Sequence, residues 1–142
     1  MEKIPLDRLA STARVLDARA LPMTRPERLA RWRELLLAEG DRILRPLTHL
    51  EDRAPDDRAQ CRADGSPLAI AFADPLLRAA GLFGDTVGRG DAFFGLSARE
   101  SHYVLCDCHY LGSMGAGRVA RRIHAVAQTN PVAKAWRMLM AA

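Results

Sequence analysis

Residues 96–127 read LSARESHYVLCDCHYLGSMGAGRVARRIHAVA, and two helical signatures stand back to back in them. Ser97 followed three residues later by Glu100 is a capping box, in which each side chain meets the other's unpaired backbone N–H. Val104, Leu105, Cys108 and Leu111 then recur at helical spacing and give this helix a buried face. On a different face His102, Cys106 and His109 follow at i, i+4 and i+7 as a stripe of polarisable donors. Gly112 ends the helix and Ser113 to Gly117 reads as a turn. A second helix follows to about Ala127, with Val119, Ile123 and Val126 inward and Arg118, Arg121 and Arg122 outward. Two helices on a short turn need further elements to bury both apolar stripes. The expectation is an all-α, compact single-domain bundle of about six or seven helices spanning residues 1–142.

Working outward, the same punctuation recurs. Pro5 to about Ala18 carries Leu6, Leu9, Ala10, Ala13 and Leu16 on one side, the spacing of a first helix. Thr24 with Glu27 forms another capping box, and Pro26 is tolerated in a first turn. The helix after it has a stripe of Leu29, Trp32, Leu36 and Ile43 flanked by Leu35, Leu44 and Leu47. It is expected to reach about Thr48, with Gly40 and Pro46 as places to bend or stop. Residues 51–66 lack an apolar period and read as a surface loop. Ser66-Pro67 and Asp74-Pro75 each set a capping side chain before proline at the first helical position, predicting short helices Pro67 to Ala73 and Pro75 to Ala80. Leu68, Ile70, Phe72, Leu76, Leu77, Leu82 and Phe83 make this the most apolar part of the chain and the expected centre of the core. Residues 81–90, GLFGDTVGRG, read as a glycine-rich connection. They lack the preceding strand and the Gly-Lys-Ser/Thr ending of a phosphate loop. Asn130-Pro131 opens a last helix to about Met140, so residues 131–142 either pack on the domain or dock into a partner's groove.

Composition narrows the class further. Aromatics are only 6% of 142 residues, and no alternating β-branched segment appears, which favours helix over sheet. No leader pattern and no long apolar run is present, so the expectation is a cytoplasmic protein with no membrane insertion. Three cysteines, Cys61, Cys106 and Cys108, are an odd count that does not suggest a disulfide framework. Two apart on this helix, Cys106 and Cys108 point away from each other, so a bridge between them would require breaking the helix. The net charge is +4, and from Ser113 to Ala142 there are five basic residues and no acidic one. Positive potential is therefore concentrated at the C-terminal end.

Three kinds of chemistry have physical content here. In a metal site, His102, Cys106 and His109 would offer N, S and N donors to Zn²⁺, although on a straight helix the third donor lies about 10 Å along the axis from the first. Catalysis by Cys106 or Cys108 would need a nearby histidine as base, and neither thiol sits in a first helical turn where its pKa would fall. The third is nucleic-acid binding. Leu96-Ser97, Arg99-Glu100, Val104-Leu105, Gly112 and Val119-Ala120-Arg121-Arg122-Ile123 resemble the opening of the LuxR-type helix-turn-helix domain, which implies a DNA-binding regulator using the 97–127 helix pair. The resemblance covers under thirty residues. Where that family places its recognition helix, this chain has Ala127-Gln128-Thr129-Asn130-Pro131 and then an apolar Trp/Met helix, so ordinary capping and turn signals account for the likeness.

The favoured expectation is a protein-interaction or regulatory module with no catalytic activity or cofactor of its own, zinc being the alternative. Its contact surface would combine Arg118, Arg121 and Arg122 with Trp136, Met138 and Met140. Another protein is the expected partner, nucleic acid the second choice, and a homodimer is compatible.

Overall fold

The computed structural model describes residues 23–47, 52–106, 108, 110, 112–128 and 131–141. The helix expected over 5–18 lies outside them. Eight helices follow one another among the described residues: α1 Arg25–Ala38, α2 Pro55–Ala59, α3 Pro67–Phe72, α4 Pro75–Ala79, α5 Val87–Phe94, α6 Ala98–Leu105, α7 Ala116–Val126 and α8 Pro131–Met140. The class is all-α. Extended pairing among these residues is limited to isolated bridges at Ile43 with Gly115 and Arg62 with Thr86.

Helix starts follow the capping chemistry. Thr24, Ser66, Asp74, Thr86 and Ser97 each accept a backbone N–H of the helix they open, and Ser97 with Glu100 forms the full reciprocal box. Asp74 also takes two hydrogen bonds from Arg31, at 3.0 and 2.8 Å. Burial pushes its carboxyl up, but Arg31 and the Leu77 N–H more than offset this and hold it below the usual range. The bidentate pair locks α1 to the head of α4.

The core centres on α1. Trp32 is fully buried, stacks on Phe94 with ring centroids 4.4 Å apart, and donates its indole N–H to the Pro67 carbonyl at 2.9 Å. Leu29 and Leu36 continue the same stripe, and the most extensive helix pairing is α1 against α7 through the buried Val119, Ala120, Ile123 and Val126. Leu68, Leu77 and Leu82 are buried as expected, but Phe83 is 66% exposed, so the apolar 68–83 stretch is one wall of the core and not its centre.

Four expectations need correction. The helix from Thr24 stops at Ala38 instead of about Thr48, because Gly40 takes a positive φ of 63°. Residues Arg42–Leu47 then run extended as a strap, with Leu44 N–H bonded to Met114 O and Leu47 N–H to Leu105 O, each at 2.9 Å. Ile43, placed in the buried stripe by helical counting, is 61% exposed on that strap. The expected loop at 51–66 contains α2. The glycine-rich connection at 81–90 keeps its turns at Gly81 and Gly84 but becomes helix α5 from Val87, and its last two glycines serve packing. A Cβ on Gly88 would meet Ala59 Cβ at 2.8 Å, and one on Gly90 would meet Leu68 Cδ2 at 2.6 Å.

Candidate functional site

The end of α6 departs furthest from the sequence expectation. The helix stops at Leu105, with neither glycine nor proline to stop it, and Cys106 takes extended angles of φ −91° and ψ 140°. The last carbonyls of a helix lack partners inside it, and here three tertiary groups take them. Arg122 Nη1 donates to Tyr103 O at 2.7 Å, Tyr110 Oη to Val104 O at 2.7 Å, and the Leu47 N–H to Leu105 O at 2.9 Å. Because the helix breaks at that point, Cys106 and Cys108 do not point apart: their sulfurs are 3.1 Å from each other. Cys108 Sγ also lies 2.9 Å from His102 Nε2. The donor atoms of His102, Cys106 and Cys108 all fall within 4.8 Å of one another. Cys106 is buried, His102 half-buried and Cys108 exposed. The structure thus brings together two of the three expected donors, His102 and Cys106, with Cys108 as their companion; His109 lies outside the described residues. Cys108 was assigned to the buried face by helical counting, and only the adjacent C-x-C spacing could have signalled its place here.

Arg122 corrects the expected basic surface. It is 1% exposed instead of outward, its guanidinium lying 3.6 Å from the centroid of Tyr110 and 4.6 Å from that of Tyr103. Burial lowers its pKa against the opposing pull of Tyr110, Tyr103 and Cys108. The same burial pushes the Tyr110 hydroxyl up. As a buried cap on α6, Arg122 is not part of a contact surface. Arg118 is half-buried, donating to Ser113 O at 2.9 Å. Of the three arginines expected outward, Arg121 alone is exposed.

Among the described residues, helix α8 is held through Lys134, Met138 and the Tyr103 hydroxyl. Lys134 bonds to Glu100, and Tyr103 Oη donates to the Met138 carbonyl at 2.8 Å, while Met138 packs against the core. Burial pushes the Glu100 carboxyl up, but Lys134, the Ser97 N–H and Arg25 hold it below the usual carboxylate range. Val132, Trp136, Leu139 and Met140, spaced so that they share one face, are 80, 65, 73 and 71% exposed. Met140 also lines a groove of about 220 Å³ with Arg33, Arg121, His124 and Arg137. Arg33, Arg121 and Arg137 form no ion pair among the described residues. Burial, then Arg33 and Arg137, depress the His124 pKa. Sequence reading missed Arg33, His124 and Arg137 because they come from three separate helices.

Two wider clefts, of about 410 and 530 Å³, lie elsewhere on the described surface. The first is lined by Leu35, Ile70 and Pro75 together with the polar Glu39, Arg42 and Asp74. In the second, Arg62 is engaged by Asp85 at 2.8 Å. No helix among the described residues is long and apolar enough to cross a membrane. The sequence matches no protein-family model, and comparison with curated proteins and with solved structures gives no match.

Proposed function

We propose that the protein is a helical interaction module that binds an acidic, amphipathic helical segment of another protein along α8. One observation carries this reading. The apolar ridge Val132, Trp136, Leu139 and Met140 faces away from the domain and borders the Arg33, Arg121 and Arg137 groove. Leaving such side chains in water forgoes roughly 1.5–3 kcal/mol apiece, and contiguous patches of this kind mark contact sites. The groove is smaller than the 300 Å³ or so of an ordinary small-molecule pocket and suits a partner's side chain. Its three guanidiniums set the sign of that side chain as negative.

A second copy of the chain fits less well, since a two-fold contact through this face would bring like-charged arginines together. Duplex DNA is also a weaker fit. Arg122 is withdrawn into the core, and the apolar ridge has nothing to offer a phosphate backbone.

Tryptophan emission tests the reading, because Trp32 is buried and Trp136 is exposed. A designed peptide with leucines on one helical face and glutamates beside them is expected to shift the Trp136 emission to the blue, saturably and less at high salt. By calorimetry, Leu139→Glu and Arg137→Glu should each weaken binding tenfold or more. An equal response to the lysine version of the peptide rejects the proposal. So does a concentration-dependent dimer by light scattering with no peptide response, or DNA retardation whose salt slope falls on removal of Arg121.

A further inference from the structure

We propose that His102, Cys106 and Cys108 form a three-donor site for a thiophilic d¹⁰ metal cation. The ligand chemistry is two thiolate sulfurs and one imidazole nitrogen, the soft set that favours Zn²⁺ or Cu⁺ over hard cations. The starting distances suit it. Bonds of about 2.3 Å to sulfur and 2.0–2.1 Å to nitrogen place neighbouring donors roughly 3.5–3.8 Å apart. The observed 2.9 Å from Cys108 Sγ to His102 Nε2 and 3.1 Å between the sulfurs are shorter than that span, and all three donors lie within 4.8 Å. A small side-chain adjustment opens the triangle, and Cys108, being exposed, has room to make it.

The local fold holds two of the donors in place. His102 belongs to the last turn of α6, and Cys106 is tied back to it by its N–H, which donates to His102 O at 3.0 Å. The three-way capping of the preceding carbonyls fixes where the chain leaves the helix, and therefore where both sulfurs begin. Positions this well fixed reduce the ordering cost of ligation. On binding, the ion exchanges ligands from solution, released as water, for two thiolate sulfurs and the neutral imidazole nitrogen, and the two thiol protons pass to the solvent. Three protein donors complete a trigonal shell for Cu⁺, while Zn²⁺ would take water as a fourth ligand on the exposed side. No redox step is involved.

The test uses the whole reduced chain, titrated with Zn²⁺ in one arm and anaerobically with Cu⁺ in the other, each against a chromophoric chelator. One ion per chain is expected to shield two of the three thiols from a thiol reagent, leaving Cys61 reactive. Affinity should fall at least a hundredfold in Cys108→Ser and 10- to 100-fold in His102→Ala, and be unchanged in Cys61→Ala. Cys108→Ser changes an exposed side chain, so its result stands even if substitution of the buried Cys106 impairs folding. Tight binding in either arm supports the site and identifies its ion. Three reactive thiols at one equivalent of both ions overturn it, as does one ion per two chains or dependence on Cys61.

Discussion

Asp91 has the most unusual environment of any carboxylate among the described residues. Burial pushes its pKa up to about 6, against the favourable influence of Ser101 and Arg58. Asp91 Oδ1 and Ser101 Oγ are both buried without a well-directed hydrogen bond, although Ser101 is near enough to favour the carboxylate. The folded chain therefore binds this proton more tightly than the unfolded one, and stability is lost as pH rises from about 4 to about 6. Asp91→Asn is expected to have little effect at pH 4 and to stabilise by about 1–2 kcal/mol at pH 7.5, measured by urea unfolding at both values. A constant difference at the two pH values would refute the assignment. Arg122 makes the opposite prediction. Arg122→Met removes a donor to Tyr103 O and the cation from between two rings, costing about 2–4 kcal/mol at neutral pH by the same assay. Its outward reading came from helical phase in a run of arginines. Charge pattern shows neither aromatic walls nor a carbonyl waiting nineteen residues back.

At the level of helices, most of the starts were legible, but those of α2 and α5 were not, and neither were the ends of α1 and α6. Ser66-Pro67, Asp74-Pro75 and Ser97-x-x-Glu100 each opened a helix where read, because an N-cap acts over three residues and is written locally. The C-terminus of α6 is set by Leu47 and Arg122, both distant in sequence, together with Tyr110 six residues past Val104, and none of these is a local stop signal such as glycine or proline. That single miss displaced the Cys/His reading, since helical geometry separates two sulfurs that an extended Cys106 brings together. Glycines were misread for a related reason. On propensity alone Gly90→Ala should stabilise α5 by about 1 kcal/mol. The added Cβ would meet Leu68 Cδ2 at 2.6 Å in a packed core, so a net loss of about 1–2 kcal/mol is expected. Thermal unfolding checks it, and combining the change with Leu68→Ala should recover part of the loss through a shared space. Ser97→Ala, which removes half of the reciprocal cap on α6, is expected to cost about 1 kcal/mol.

On the scale of the molecule, the buried apolar side chains of the described residues form one cluster running from Leu29 to Val126. Cooperative unfolding follows. In a Trp136→Phe variant, the emission of Trp32 and the far-UV circular dichroism are expected to give coincident urea transitions. Separated midpoints would mean that α1 and its partners open independently of the rest. The all-α class followed from capping and periodicity. The hub at Trp32 did not, because its neighbours Pro67 and Phe94 come from elements with nothing in common in the sequence. The pairing of α1 with α7 also bears on biosynthesis. Translation delivers α1 well before Ala116–Val126 leave the ribosome, and at about 5–20 residues per second the leucine stripe of α1 waits several seconds for its principal cover. During that interval the leucine stripe stays uncovered, and a pause placed between the two helices should lower the soluble yield without altering the finished fold.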